Sequence, residues 1–276
     1  MLKIAVPNKG SLAESSIAML KEAGYRQRTD SRDLTLYDPD NDIEFYYLRP
    51  RDIAIYVGNG ELNLGITGRD LLIDSQVTAV EILPLDFGRS TFRFAATKEV
   101  DLNGKRIATA YPGLVEKFLE DKGVQACVVR LDGAVESSVR LGVADVIADV
   151  VSTGGTLRAA GLQTFGEPLL TSEAILIERS GINRSDEVET VIRRINGVVI
   201  ARQYVLVDYD VEDSHLAAAC ALTPGIESPT ISPLQKVGWN AVRAMVRRKD
   251  VNKIMDELYR VGARGILVTD IHASRL

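Results

Sequence analysis

From Asp145 to Leu157 the chain reads Asp-Val-Ile-Ala-Asp-Val-Val-Ser-Thr-Gly-Gly-Thr-Leu, an apolar run that stops at a hydroxyl-and-glycine loop and then resumes with helix-forming residues. Few folds accommodate that pattern. Val146–Val151 is almost wholly apolar, as a strand covered on both faces must be, and such strands belong to sheets flanked by helices. Gly154 and Gly155 allow successive backbone N–H groups to converge on one anion, and the first turn of the following helix adds partial positive charge. Thr156 is expected at the helix N-cap, and Ser152, Thr153 and Thr156 can each donate a hydroxyl hydrogen bond. The loop is neither a Walker A motif, since no Gly-Lys-Ser/Thr follows, nor a Gly-x-Gly-x-x-Gly dinucleotide fingerprint. Glycine turns between strand and helix also occur as plain turns, so the rest of the chain has to decide.

The rest of the chain repeats the same grammar. Residues 2–6 predict a strand, residues 7–10 a turn, and Ser11 with Glu14 a capping box opening a helix that Gly24 closes. Ile43–Leu48 predicts a strand, 52–57 a short helix or turn, and Gly65-Ile66-Thr67-Gly68 a second strand that breaks at glycine before Arg69-Asp70-Leu71-Leu72. Phe92 to Ala96 reads as a strand crossing between domains. A second α/β unit follows, with strands at 106–109 and 126–130, helices at 114–122 and 134–141, and then the glycine loop. A strand at 173–178 and a charged helix at 186–196 complete it. In open sheets of this kind, ligands gather at the strand ends.

From residue 198 the order changes to strand (198–208), helix (214–221), two strands (227–232 and 241–246), helix (251–261) and strand (265–270), a ferredoxin-like βαββαβ plan. Asp250 is the expected N-cap of its second helix, and Gly262 stands at C′.

At 276 residues the chain is long enough for two or three domains. Its formal net charge of -5 argues against nonspecific nucleic-acid binding, so a bound phosphate must be met by local cations, backbone dipoles or a metal ion. Cys127, Cys220, His215 and His272 are too few and too scattered for a zinc site, and both histidines are expected at the surface. No apolar run approaches the roughly 20 residues that cross a bilayer. The opening Met-Leu-Lys-Ile-Ala-Val-Pro reads as a strand rather than a secretory leader, so a cytoplasmic protein is expected.

Five segments occur in a telling order: Val6-Pro7-Asn8-Lys9-Gly10, Arg49-Pro50-Arg51-Asp52-Ile53, Gly65 to Asp70, Arg130-Leu131-Asp132-Gly133-Ala134-Val135-Glu136, and Ala148 to Leu157. Together they resemble the ATP phosphoribosyltransferase family, which opens histidine biosynthesis. Asp208-Tyr209-Asp210 and Thr223 to Thr230 further resemble its long, histidine-inhibited form. Gly155 departs from the pattern, since similar proteins often carry a larger residue there.

The resemblance implies a two-lobed α/β core like that of periplasmic binding proteins (type II), with a ferredoxin-like regulatory domain behind it. The first lobe would span 1–90, completed by 172–197; the second would span 91–171; and the regulatory domain would span 198–276. The implied reaction joins ATP and 5-phosphoribosyl 1-pyrophosphate with magnesium as cofactor, giving phosphoribosyl-ATP and pyrophosphate. Histidine and AMP would inhibit it, and the chain would form dimers and hexamers.

By the same resemblance, Asp149, Ser152, Thr153, Gly154, Gly155 and Thr156 would hold phosphoribosyl pyrophosphate. Lys9, Arg49, Arg69, Asp70 and Tyr111 would meet the nucleotide, and Glu136, Lys9 and Arg49 would act in catalysis. Asp210, Ile226, Thr230 and Gly265 would bind histidine. Each has a plainer alternative: Asp149 as a loop-stabilising carboxylate, Glu136 as a helix-dipole partner, Asp70 as a cap, Tyr111 as an ordinary loop tyrosine. The rival reading of the whole chain is a noncatalytic solute-binding protein that closes on a small anionic ligand.

Overall fold

The structure is a computed structural model that describes residues 1–151 and 154–275. Its first lobe grows from β1 (Leu2–Pro7), in which Ile4, Ala5 and Val6 are fully buried. Gly10, at φ +81°, turns the chain into α1 (Ser11–Glu22). β2 (Thr35–Asp38) runs antiparallel to β3 (Ile43–Leu48), and β3 runs parallel to β1. α2 (Pro50–Gly58) carries its proline in the first turn, where no N–H is needed. It lies directly on β4 (Leu64–Gly68), because a Cβ on Gly65 would stand only 2.5 Å from Ile53 Cγ2. α3 (Arg69–Ser75) leaves β4 without a loop, and β5 (Ala79–Pro84) follows.

The chain then enters a second lobe through β6 (Ser90–Ala96), β7 (Arg106–Thr109), α4 (Pro112–Lys122), β8 (Cys127–Arg130), the single-turn α5 (Ser137–Arg140), β9 (Val146–Val151), the short α6 (Gly155–Ala159) and β10 (Gln163–Ser172). β11 (Ala174–Arg179) returns to the first sheet. Strand order is β2-β3-β1-β4-β11-β5 in the first lobe and β10-β6-β9-β7-β8 in the second. The two passages between lobes are bonded to each other: Leu85 N–H donates to Ala174 O, and Ala174 N–H to Phe87 O, both at 2.9 Å. α2 packs Ile53, Ala54 and Val57 on one sheet, and α4 packs Leu114, Val115 and Leu119 on the other. Each such burial is worth about 1.5–3 kcal/mol for a large aliphatic side chain.

A second compact unit holds Val191–Leu276 together with Glu22–Gly24. α7 (Asp186–Gln203) leads to β12 (Tyr204–Glu212), α8 (Asp213–Leu222), β13 (Thr230–Pro233), β14 (Trp239–Arg247), α9 (Val251–Arg260) and β15 (Arg264–Asp270). Its antiparallel order, β13-β14-β12-β15, is the ferredoxin-like arrangement expected from the βαββαβ pattern. Among the described residues no helix is long and apolar enough to cross a membrane.

Several expectations need correction. Residues 198–203 are helical, not strand, and α7 runs on past 196. Val188, Val191, Ile195, Val198 and Val199 are all buried at helical spacing, so tertiary burial overrides their β-branched propensity. The helix expected over 134–141 shrinks to Ser137–Arg140, because Ala134 sits at φ +48° and the helix cannot begin through it. Glu136 is consequently the N-cap residue of α5 rather than part of its first turn. Thr156 is not an N-cap either. Gly154, in the left-handed region at φ +69°, takes that place, and Gly155 is the first helical residue. Asp70 lies inside α3, whose N-cap is Gly68, and Asp250 caps α9 by position without a side-chain bond. Glu173 falls between β10 and β11, and β2, β5 and β10 are strands that periodicity did not reveal.

Candidate active site

A cleft of about 410 Å³ opens where the strand ends of the two lobes meet. Its first-lobe wall comes from the β1–α1 turn (Lys9, Gly10, Ser11) and the β4–α3 junction (Gly68, Asp70, Leu71). Its floor comes from the passages between lobes (Gly88, Arg89, Ser90, Ser172), and its second-lobe wall from Tyr111 and Val150. Lys9 is exposed at the rim, and Arg49 is exposed at the N-cap of α2 beside Pro50, another lining residue.

Asp70 is 8% exposed. Its carboxylate accepts the Ser172 hydroxyl at 2.8 Å, and its own N–H donates to the same oxygen at 3.1 Å. A Cβ on Gly68 would run into that carboxylate, so a side chain there would push Asp70 away from Ser172. Asp149, on β9 one residue before the cleft-lining Val150, is half-buried. Burial foremost, and then the negative charges of Glu136 and Asp70, raise its carboxyl above the ordinary range, against the lowering effect of the Val150 N–H at 2.7 Å. The charges of Glu136 and Asp70 thus both reach the Asp149 carboxyl, and a cation bound beside Asp149 would offset them.

Ser152 and Thr153 lie outside the described residues. Gly154 borders a second cavity of about 390 Å³, lined also by Thr91, Arg93, Val151, Leu157 and Arg158. Gly155 and Thr156 are exposed in the first turn of α6. Tyr111 is pressed edge-on against Phe92, with ring centroids 5.2 Å apart, and the Arg51 guanidinium lies 4.7 Å from its ring centre. Burial, ahead of the nearby Asp70 charge, pushes its phenol up.

Arg69 is turned elsewhere. It grips Glu81 through two 2.7 Å bonds and reaches Glu173 and the Thr171 carbonyl at 3.3 Å, which raises its pKa further and ties α3 to the strands around the lobe passages. Arg51, Asp74, Arg89 and Ser172 were not singled out from sequence. Arg51 sat in view within Arg49-Pro50-Arg51, and Asp74 is four residues from Asp70 on one helix face. Ser172 is 102 positions from its partner and carries no local signal.

In the C-terminal unit, strand register puts Asp210 and Thr230 on the sheet face away from the helices. Val205, Val207, Tyr209 and Val211 fill the helix side. Asp210 Oδ2 lies 3.4 Å from where a Cβ on Gly265 would stand, and Gly265 has φ +60°. Ile226 is 42% exposed in the preceding loop, and an Asp208–Arg243 pair at 2.7 Å occupies the same face as Asp210.

Comparison with known proteins decides the family. The family model described as ATP phosphoribosyltransferase matches residues 49–197. An ATP phosphoribosyltransferase of Arthrobacter sp. (strain FB24) is 61% identical over the whole of both chains, and one of Salinispora tropica is 60% identical, again over both whole chains. The chain belongs to the ATP phosphoribosyltransferase family. A second model, described as the HisG C-terminal domain, matches residues 201–273 and marks the long form of this family. Among solved structures, a chain of the ATP phosphoribosyl transferase (HisG:HisZ) complex from Thermotoga maritima superposes with a TM-score of 0.63 at 25% identity. The match covers 72% of this chain and 98% of that one. ATP phosphoribosyltransferases are pentosyltransferases.

Proposed function

We propose that the inter-lobe cleft joins ATP to 5-phosphoribosyl 1-pyrophosphate. The observation that carries this reading is the convergence on one cleft of Lys9, Asp70 and Tyr111 with the end of β9, where Asp149 precedes the glycine loop. The 5′-phosphate rests at Gly154, Gly155 and Thr156 with Ser152 and Thr153, where backbone N–H groups and hydroxyls compensate for the absence of a lysine in the loop. Asp149 and Glu136 take the ribose side. Lys9 and Arg49 meet the triphosphate or the departing pyrophosphate, and Asp70 and Tyr111 the adenosine. Arg69 serves the frame that holds Asp70, through Glu81 and Glu173.

Adenine N1 attacks ribose C1 as the bond from C1 to the pyrophosphate oxygen breaks, and the leaving group departs with both electrons. The protein's part is alignment and charge compensation rather than a nucleophile of its own. Magnesium would ride on the substrate phosphates, with the half-buried Asp149 carboxylate placed to take one of its waters. Among the described residues no three carboxylate, histidine or cysteine side chains form a cage, which suits an ion that arrives on substrate phosphates and keeps its waters. When bound, it would neutralise the developing charge on pyrophosphate.

Histidine is proposed to bind the outer face of the C-terminal sheet at Asp210, Ile226, Thr230 and Gly265, and to inhibit by preferring one conformation. AMP would compete in the ATP half of the cleft, and the chain would work as a dimer and as a hexamer. Asp210→Asn tests the regulatory site. Histidine inhibition should weaken by about tenfold or more, the value of one charge-assisted hydrogen bond, with uninhibited turnover unchanged. Undiminished inhibition would remove Asp210 from the site.

A further inference from the structure

Behind Tyr111 stands an ion pair that phosphoribosyl transfer leaves without a task. Arg51, in the first turn of α2, donates from Nη1 to Asp74 Oδ2 near the end of α3 while its guanidinium covers the Tyr111 ring. The Asp74 side chain is 7% exposed, against 39% for Arg51. A carboxylate buried that far is unfavourable unless its lone pairs are taken. The second oxygen accepts the Leu114 N–H at 3.3 Å, in the first turn of α4, where the helix end favours negative charge.

The neighbouring backbone is cut to the same contact. A Cβ on Gly113 would run into the Asp74 carbonyl oxygen, and Gln76 Nε2 donates to the Gly113 carbonyl at 3.3 Å. Arg51, Asp74 and Gln76 belong to the first lobe; Tyr111, Gly113 and Leu114 belong to the second. The contact spans the two lobes beside the cleft, and the residue at its centre, Tyr111, borders the cleft itself.

We propose that Asp74 and Arg51 are positioning residues of the ATP half-site: Asp74 holds Arg51 against the Tyr111 ring, and so fixes that ring as a platform for the purine. The inference rests on the nucleotide reading of the cleft given above. Phe92 restrains the ring edge-on and Arg51 restrains it by a cation–π contact, so its rotamer is set before substrate arrives. A platform ordered in advance spares the binding step the entropy of fixing one side chain. Losing that advantage should raise KM for ATP by about three- to tenfold.

The test uses the full chain and initial rates with each substrate varied in turn. Arg51→Met, Asp74→Asn, Tyr111→Ala and the Arg51→Met/Tyr111→Ala double variant are compared, with thermal melting of each. Arg51→Met and Asp74→Asn are expected to raise KM for ATP by that factor and to leave KM for phosphoribosyl pyrophosphate within about twofold, the scatter of an unaffected site. In the Tyr111→Ala background, Arg51→Met is expected to add nothing, because its effect passes through the ring.

Equal rises in both KM values, or additive effects in the double variant, would mean a structural strut and overturn the proposal. So would an unchanged KM for ATP in Arg51→Met, which decides the matter if Asp74→Asn does not fold. Tyr111→Ala with an unchanged KM for ATP would remove the purine platform itself, a failure of the underlying reading that is distinguishable from the others.

Discussion

Replacing Ser172 by alanine tests how the lobe passage and the cleft are joined. The residue is 2% exposed, and its hydroxyl performs two tasks, donating to Asp70 Oδ1 at 2.8 Å and accepting the Asp70 N–H at 3.1 Å. A hydrogen bond to a charged group is worth about 1.5–3 kcal/mol and a neutral one about 0.5–1.5 kcal/mol. Alanine removes one oxygen and leaves little cavity, while Asp70 keeps the favourable field of the α3 N-terminus, so the lower half of the sum applies, about 2–3 kcal/mol. The sole tryptophan, Trp239, lies in the C-terminal unit, so indole fluorescence would report the wrong part of the chain. Hydrogen exchange of the Asp70 amide, with far-ultraviolet dichroism in urea, reads the right one. Exchange should accelerate about 30- to 150-fold, the same free energy at 1.4 kcal/mol per decade. Acceleration of twofold or less in a folded variant would refute the double role assigned to Ser172.

Three further outcomes follow from the same geometry. Asp149 has a raised carboxyl pKa, so its contribution to stability is complete below the unfolded value and is lost as pH rises through the folded one. Asp149→Asn should accordingly melt above the parent at pH 7, with the gap closing toward acid. Its kcat/KM for phosphoribosyl pyrophosphate should fall by about tenfold to a hundredfold, and a variant that melts lower at pH 7 would contradict the assignment. Phe94→Ala should destabilise the first compact unit by about 3–4 kcal/mol in urea titrations followed by dichroism, because the ring is 4% exposed between Phe118 and Phe165. Tyr209→Phe removes a buried 2.8 Å bond to Thr223, which keeps its 3.3 Å bond to the Ala219 carbonyl. A loss of about 1 kcal/mol, read from Trp239 fluorescence, is expected, and no loss would mean that the hydroxyl pair contributes nothing net.

Features written in local periodicity and glycine placement were legible before the structure. β9, α4 with Gly123 beyond its end, and the βαββαβ order all follow from residues close in sequence. The failures have a common physical cause, which is that burial is decided by distant parts of the chain. Val198-Val199-Ile200 reads as strand by propensity, yet its first two residues extend the buried stripe of α7. At the site, Lys9, Asp70 and Tyr111 line the cleft as residues at strand ends can. Arg69 stands equally well placed in sequence but faces Glu81 and Glu173, whose positions no local rule encodes. Asp74 was hidden for the converse reason. A carboxylate on a short helix looks solvated until α4 from the other lobe covers it.

Phosphoribosyl transfer in the cleft and its regulation by the C-terminal sheet, as proposed above, are open to one assay. The most direct test follows phosphoribosyl-ATP by ultraviolet absorbance, with purified full-length protein, ATP, 5-phosphoribosyl 1-pyrophosphate, magnesium and pyrophosphatase, with and without histidine. Product that depends on both substrates and is suppressed by histidine is the predicted result. Folded protein that binds either substrate yet forms no product would contradict the catalytic assignment and return the fold to a solute-binding role, while product unaffected by histidine would contradict the regulatory half alone.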